Sequence, residues 1–319
     1  MRNDFAPEWR RVRVASIREL ATDIRGYELV PADGRALPTY EAGAHVDIHV
    51  PTGLIRQYSL CGKHNATDCY RIAVKKDVAG RGGSISMHDD VDVGSVLAMT
   101  VPRNHFPLAT DASASLLIAG GIGITPIYAM VQSLHVEDRN WTLHYCARSR
   151  AHAAFYDELK ALAPQRVIPH FSDVRVLDVE ALVAASTQDM HVYCCGPERL
   201  MSAVKTATVR WDPSRVHFEW FSAPEIDHTL DHSFEVKLER SGLELTVPAG
   251  RSILQIVREH GIDVPSACEE GVCGTCETGV LAGDPDHRDM LLTPAERAAN
   301  RSMMICISRA KSNRIVLDL

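Results

Sequence analysis

The sequence predicts a multidomain α+β protein in three parts: a small antiparallel β-barrel, a parallel α/β domain and a β-grasp domain. Three observations predict it. From Val12 to about Pro102 the chain reads as short alternating strands broken by Gly and Pro. From about Ala114 to Trp220, continuous apolar strands alternate with amphipathic helices. Near the C-terminus, Cys268, Cys273 and Cys276 stand as C-E-E-G-V-C-G-T-C, with Cys306 far downstream. That is the C-x4-C-x2-C…C spacing of a 2Fe–2S cluster. At 319 residues and 45% hydrophobic, the chain is long enough for two or three cores. A net charge of −7 with mixed signs excludes a basic nucleic-acid stripe. The start, MRNDFAPEWRRVRV, has no apolar run suited to a signal peptide or a membrane span.

In the first segment Val46, Ile48 and Val50 share a strand face, as do Ile72 and Val74. His45 and His49 fall on the opposite face and, lacking a third ligand nearby, are expected to face solvent. In the second, the run Leu116-Leu117-Ile118-Ala119 leads into Gly120-Gly121-Ile122-Gly123-Ile124-Thr125-Pro126 and a helix with Ile127, Met130, Val131 and Leu134 on one side. Thr125 and Pro126 suit the N-cap and first helical positions. Two more strands, Trp141 to Cys146 and His191 to Cys195, are each followed by a helix. In the third, Phe234, Val236 and Leu238, a Ser241-Gly242 turn, then Leu243, Leu245 and Val247 form a hairpin. Ser252 caps a helix that ends at Gly261. This is the β-grasp order of a ferredoxin. The domains are expected at 8–110, 111–226 and 232–319, with the short polar stretch Pro224 to His232 linking the last two.

A two-iron cluster needs four thiolates converging from different directions, so one loop supplies three and a remote segment the fourth. Gly271 and Gly274 let the loop backbone approach the sulfides. Zinc knuckles favour paired C-x2-C units, and here there is one such unit. The other cysteines, Cys61, Cys69, Cys146, Cys194 and Cys195, sit in apolar runs as free thiols rather than a disulfide framework. A reduced, cytoplasmic, soluble protein follows.

Further signals are individually weak. Arg56, Tyr58 and Ser59 on one strand can stack on a flavin and hold its oxygens. Gly80-Arg81-Gly82-Gly83-Ser84 opens a short helix and suits a phosphate, although a plain glycine turn reads equally well. The glycines at 120, 121 and 123 allow a pyrophosphate to approach the next helix, without completing G-x-G-x-x-G. Cys195-Gly196-Pro197 places a thiol at the carboxyl edge of the sheet, where ligands bind in open α/β folds. Taken alone, Cys195 reads as an inert buried thiol.

Together and in this order, the motifs over residues 8 to 319 resemble the phthalate dioxygenase reductase family, within the ferredoxin–NADP reductase superfamily. Arg56, Tyr58 and Ser59 match its R-x-Y-S flavin motif. Gly82-Gly83-Ser84, after Arg81, matches its phosphate loop. Gly120 to Pro126, with Gly121, Gly123 and Thr125, matches its nicotinamide pyrophosphate loop, and Cys195-Gly196-Pro197 its nicotinamide-proximal motif. Glu219-Trp220-Phe221 looks like the segment whose aromatic residue covers the flavin, and spacing favours Phe221.

The resemblance implies an antiparallel flavin-binding β-barrel, a parallel α/β nicotinamide-binding domain and a plant-type ferredoxin domain. It implies FMN, a 2Fe–2S cluster and NADH as substrate, with Cys195 and Ser59 catalytic. Arg148 and Arg150 lie where a 2′-phosphate would bind, so the choice of NADH over NADPH rests on the resemblance. Electrons would pass to a terminal Rieske oxygenase, or alternatively to a cytochrome P450 or a separate ferredoxin. The rival of another class is a non-catalytic iron–sulfur or zinc carrier. The implied protein is a monomer with no nucleic-acid or membrane partner.

Overall fold

A computed structural model describes residues 8–63, 65–187, 189–223 and 226–319. The chain divides into two compact units, one ending at Glu219 and one beginning at Trp220. The first unit holds two sheets. Strands β1 (Trp9–Ala21), β2 (Ile24–Pro31), β3 (Ala44–His49), β4 (Ile55–Ser59), β5 (Tyr70–Lys75), β6 (Val96–Thr100) and β7 (Arg103–Asn104) pair antiparallel in the order β4-β3-β6-β1-β2-β5, with β7 beside β3. One bridge, Leu60 to Ile72, brings the two edges of this curled sheet together in place of a full closing ladder. Alternation puts Val12, Val14, Tyr27, Leu29, Val46, Ile48 and Ile72 inside, where Met87 of helix α1 (Gly83–Asp89) plugs the core.

The second sheet is wholly parallel, in the order β10-β9-β8-β11-β12. Its strands are β8 (Ser115–Gly120), β9 (Trp141–Ala147), β10 (Val167–Phe171), β11 (His191–Cys195) and β12 (Val216–Glu219). Between them run α2 (Ile124–Val136), α3 (Tyr156–Leu162), α4 (Val179–Ala184) and α5 (Glu198–Ala207). The two edge strands were not legible as strands. β10 carries Pro169, which an edge tolerates and a central strand does not. β12 is four residues of mixed polarity.

Two expectations are corrected. His45 does not face solvent: it is 2% exposed, because the segment after β7 folds over the outside of β3 and stacks His105 on its ring. His49 stacks on Trp9 at 4.2 Å. Thr125 is not the N-cap of α2. A 3-10 turn over Gly121–Gly123 starts the helix at Ile124, so Thr125 lies inside the first turn and donates its hydroxyl to the Ile122 carbonyl at 3.0 Å.

The second unit is a mixed sheet, β14-β13-β19-β15-β17. The hairpin β13 (Phe234–Leu238) and β14 (Leu243–Val247) turns at Gly242, whose φ is +70°. Helix α6 (Ile253–Glu259) opens with a Ser252/Gln255 capping box. Then follow β15 (Glu277–Ala282), β16 (Pro285–Asp286), α7 (Pro294–Ala299), β17 (Ser302–Met304), β18 (Arg309–Ala310) and β19 (Arg314–Leu317). The predicted link at 224–232 includes Pro224 and Glu225, which lie outside the described residues. Its end is anchored: the buried Asp231 carboxylate meets Arg288 at 2.7 Å and His228 at 2.9 Å. Burial pushes that carboxyl up, but the Arg288 and His228 hydrogen bonds and the Arg288 and Arg309 charges outweigh it and hold it at about 2. Among the described residues no helix is long and apolar enough to cross a membrane.

Candidate functional site

In the second unit the loop from Cys268 to Cys276 turns on three left-handed residues, Glu269, Gly271 and Gly274. This curl aims backbone N–H groups inward. Glu270 and Val272 donate to Cys268 Sγ at 3.3 and 3.4 Å. A Cβ on Gly271 would lie 2.6 Å from Ile307 Cγ2 and 3.1 Å from the Asp289 backbone, so the loop packs where no side chain fits. Among the described residues no group of three or more His, Cys, Asp or Glu is arranged to hold a single metal ion. The four thiols converge in pairs, Cys268 with Cys273 and Cys276 with Cys306, with Cys268 also beside Cys306. Cys273 and Cys306 and the two backbone donors pull the Cys268 thiol down against its burial, while its crowded neighbours Cys273 and Cys306 are pushed up. Paired soft donors ringed by N–H groups fit a 2Fe–2S cluster. Cys306 also borders a cavity of about 310 Å³ with Arg251, Leu254 and Ile307.

In the first unit, β4 and the glycine loop come together. Gly82 has φ +87° and precedes α1, and a Cβ on Gly83 would lie 2.5 Å from Arg56 Cγ. The Arg56 stem therefore lies on the backbone of the helix start, next to exposed Arg81 in sequence. Ser84 is engaged locally, its hydroxyl accepting from Asp77 N at 3.0 Å. Tyr58 Oη and Gln57 Nε2 are buried with no hydrogen-bond partner among the described residues. Buried polar atoms of this kind normally find partners, so a polyhydroxylated ligand such as the ribityl chain and phosphate of FMN fits here.

Where β8 and β11 run side by side, the glycines serve different ends. A Cβ on Gly120 would meet Pro197 Cδ at 2.6 Å, and one on Gly123 would meet the Cys195 carbonyl oxygen at 2.4 Å. Both are needed for close packing of the two strand ends. Gly121 is the open position, with φ +55° and nothing within 4 Å, and it suits the approach of a pyrophosphate. A Cβ on Gly196 would lie 3.0 Å from Gly120 Cα, so this glycine completes the close passage.

Cys195 lies fully buried opposite Glu219 in the β11–β12 ladder. Burial first, then Glu219 and Cys194, push its thiol well above the ordinary range. Ser59 Oγ donates to Glu219 Oε2 at 3.4 Å, so barrel strand and parallel sheet meet at one carboxyl. Burial raises Glu219 to about 8, with the Ser59 hydrogen bond working the other way. Glu219 was not singled out by sequence. Its one signal was position, an acid immediately before the aromatic pair. Trp220 is 9% exposed and Phe221 41% exposed, which leaves the Phe221 ring available to a ligand.

Residues 236–311 match the 2Fe-2S iron-sulfur cluster binding domain model, and residues 117–206 the oxidoreductase NAD-binding domain model. The chain is 46% identical over 314 residues to a vanillate O-demethylase oxidoreductase of Pseudomonas sp. strain HR199, covering 97% of this chain and 99% of the relative. A solved phthalate dioxygenase reductase, a modular structure for electron transfer from pyridine nucleotides to [2Fe-2S], is 41% identical with a TM-score of 0.73 and 98% coverage of both chains. An intact type IV self-sufficient cytochrome P450 monooxygenase is 39% identical with a TM-score of 0.91, covering 98% of this chain and 41% of that longer one.

Proposed function

The chain belongs to the phthalate dioxygenase reductase family, and on that premise we propose that it is the reductase component of a two-component Rieske-type aromatic-ring oxygenase or O-demethylase. It is a cytoplasmic monomer that takes hydride from NADH and passes single electrons to the oxygenase. The observation that carries this reading is the meeting of Ser59, Cys195 and Glu219 at one strand end, in a chain that also gathers four cysteines around a donor-lined loop. FMN and the cluster, when bound, supply the conversion of a two-electron delivery into one-electron steps.

The chain's own residues bind and orient. Arg56, Arg81, Gly82 and Gly83 receive the FMN phosphate and Tyr58 the ribityl hydroxyls. Gly121 admits the dinucleotide pyrophosphate. Gly196 and Pro197 form the wall against which the nicotinamide rests, with the buried Cys195 thiol behind it. Arg150 is paired with Asp157 and lies over the Tyr156 ring, which occupies it and favours NADH over NADPH.

Glu219 stays neutral up to about pH 8 and becomes an anion above it. Hydride loss leaves a positive nicotinamide ring, which an anion at this position stabilises. The limiting rate of flavin bleaching by NADH is therefore expected to rise about 100-fold through an ionisation near pH 8, on the scale of a single buried electrostatic contact. Glu219→Gln should flatten that profile at the low-pH rate. Stopped-flow absorbance across pH checks it, and an unchanged profile in the variant removes Glu219 from this role.

Reconstitution tests the partner. Purified protein with NADH should support product formation by a Rieske oxygenase. The P450 match supports a second reading, and turnover with a cytochrome P450 but not with Rieske oxygenases would favour it.

A further inference from the structure

We propose that His45 and His105 form a proton exit from the Ser59–Glu219 site to solvent, across the outer face of the barrel. This rests on the reading that NADH is oxidised at that site. The requirement is stoichiometric. With a one-electron acceptor A, the reaction balances as NADH + 2 A(oxidised) → NAD+ + H+ + 2 A(reduced). The C4–H bond breaks, its two electrons end on two acceptors, and one proton must reach water. A dinucleotide resting on Gly196 and Pro197 would exclude water from that side of Glu219, so the proton needs another way out.

His45 stands behind Ser59. The two are directly opposite in the β3–β4 ladder, which sets their Cβ atoms about 4.5–5.5 Å apart on one face. His45 is 2% exposed, and neither ring nitrogen has a hydrogen-bond partner among the described residues. A residue that merely filled this place would be apolar, as its neighbours Val46 and Ile48 are on the inner face. On the far side of His45 the His105 ring stacks at 5.3 Å and 26°, and His105 is exposed. The path therefore runs from Glu219 through Ser59 Oγ, 3.4 Å from Glu219 Oε2, then His45, then His105, then solvent. For outward transfer the neutral carboxyl donates, and the Ser59 hydroxyl rotates to turn its hydrogen toward His45. Single waters can bridge the two gaps that no direct hydrogen bond spans.

The charges around the relay suit transfer rather than storage. Arg103 lies opposite His45 on β7 and bonds Asp47 at 2.5 Å. Burial first, then Arg103 and His105, disfavour a cationic His45. A neutral imidazole offers one acceptor nitrogen and one N–H donor, which is what a relay requires.

The test uses protein carrying both cofactors, mixed with NADH and excess cytochrome c in weak buffer with a pH-indicator dye. In His45→Ala, proton release should slow at least about tenfold while anaerobic flavin bleaching falls less than about twofold, and added imidazole should restore part of the release. His105→Ala should slow release in the same sense. His49→Gln, on the same strand but stacked on Trp9, should behave as wild type. A second readout needs no turnover: in cofactor-free protein, Glu219→Gln and Ser59→Ala should shift the ¹⁵N ring resonances of His45. Proton release at the wild-type pace in His45→Ala overturns the proposal. So does a loss of bleaching equal to the loss of release, which would mark His45 as packing alone. Absence of NADH-driven bleaching in the wild-type protein would instead refute the underlying reading.

Discussion

Cys306→Ser is expected to abolish reduction of cytochrome c while NADH still bleaches the flavin. Cys306 is the remote member of the four, paired with Cys276 and beside Cys268. A serine oxygen is a poor match for iron that prefers soft sulfur. Replacing groups that merely support a metal ligand costs about 10–100-fold, so losing a ligand should cost more than about 100-fold in electron delivery. Ser59, Cys195 and Glu219 belong to the other compact unit, so their chemistry should survive. Cluster absorbance and cytochrome c turnover, set beside the anaerobic bleaching rate, check this. Normal cytochrome c reduction would remove Cys306 from the ligand set.

Gly123→Ala should be far more damaging than Gly121→Ala, although Gly121 has the more unusual backbone. Gly123 has φ −61°, which alanine accepts, but its Cβ would lie 2.4 Å from the Cys195 carbonyl oxygen and 2.5 Å from its carbon. Those are backbone atoms and cannot swing aside. The β8 turn must part from β11, at a cost of about 1–3 kcal/mol. A displacement of about 1 Å at the nicotinamide wall can lower hydride transfer by about 100-fold. Gly121→Ala meets no atom within 4 Å and costs about 1–2 kcal/mol for its left-handed backbone alone. Thermal unfolding and stopped-flow bleaching of the two variants separate these effects, and equal rates would show that the β8–β11 contact does not position the site.

Much of this site was legible because its parts are local. The cysteine loop, R-x-Y-S, the glycine run after β8 and C-G-P each lie within a few consecutive residues, and a short motif carries its own backbone requirement. What escaped was set by long-range packing. Glu219 ends a four-residue edge strand, and its importance comes from Ser59, 160 residues away in sequence. His45 read as solvent-facing from alternation, since period two says which residues share a face but not what covers it. The crowding at Gly120 and Gly123 likewise depends on β11, some seventy residues on, so the glycines read as phosphate-binding when two of them serve strand packing. Thr125 lies two residues past the N-cap, Gly123, and read as the cap because the 3-10 segment before the helix has no side-chain signature.

The central claim, that electrons from NADH reach the cluster through the flavin site of the same chain, has a direct measurement. NADH is added anaerobically to purified protein, the flavin band is followed by rapid-mixing absorbance, and frozen samples are examined by electron paramagnetic resonance. The account predicts flavin bleaching first, then the signal of a reduced 2Fe–2S cluster, with that second phase lost in Cys306→Ser. A wild-type cluster that dithionite reduces but NADH leaves silent would contradict it.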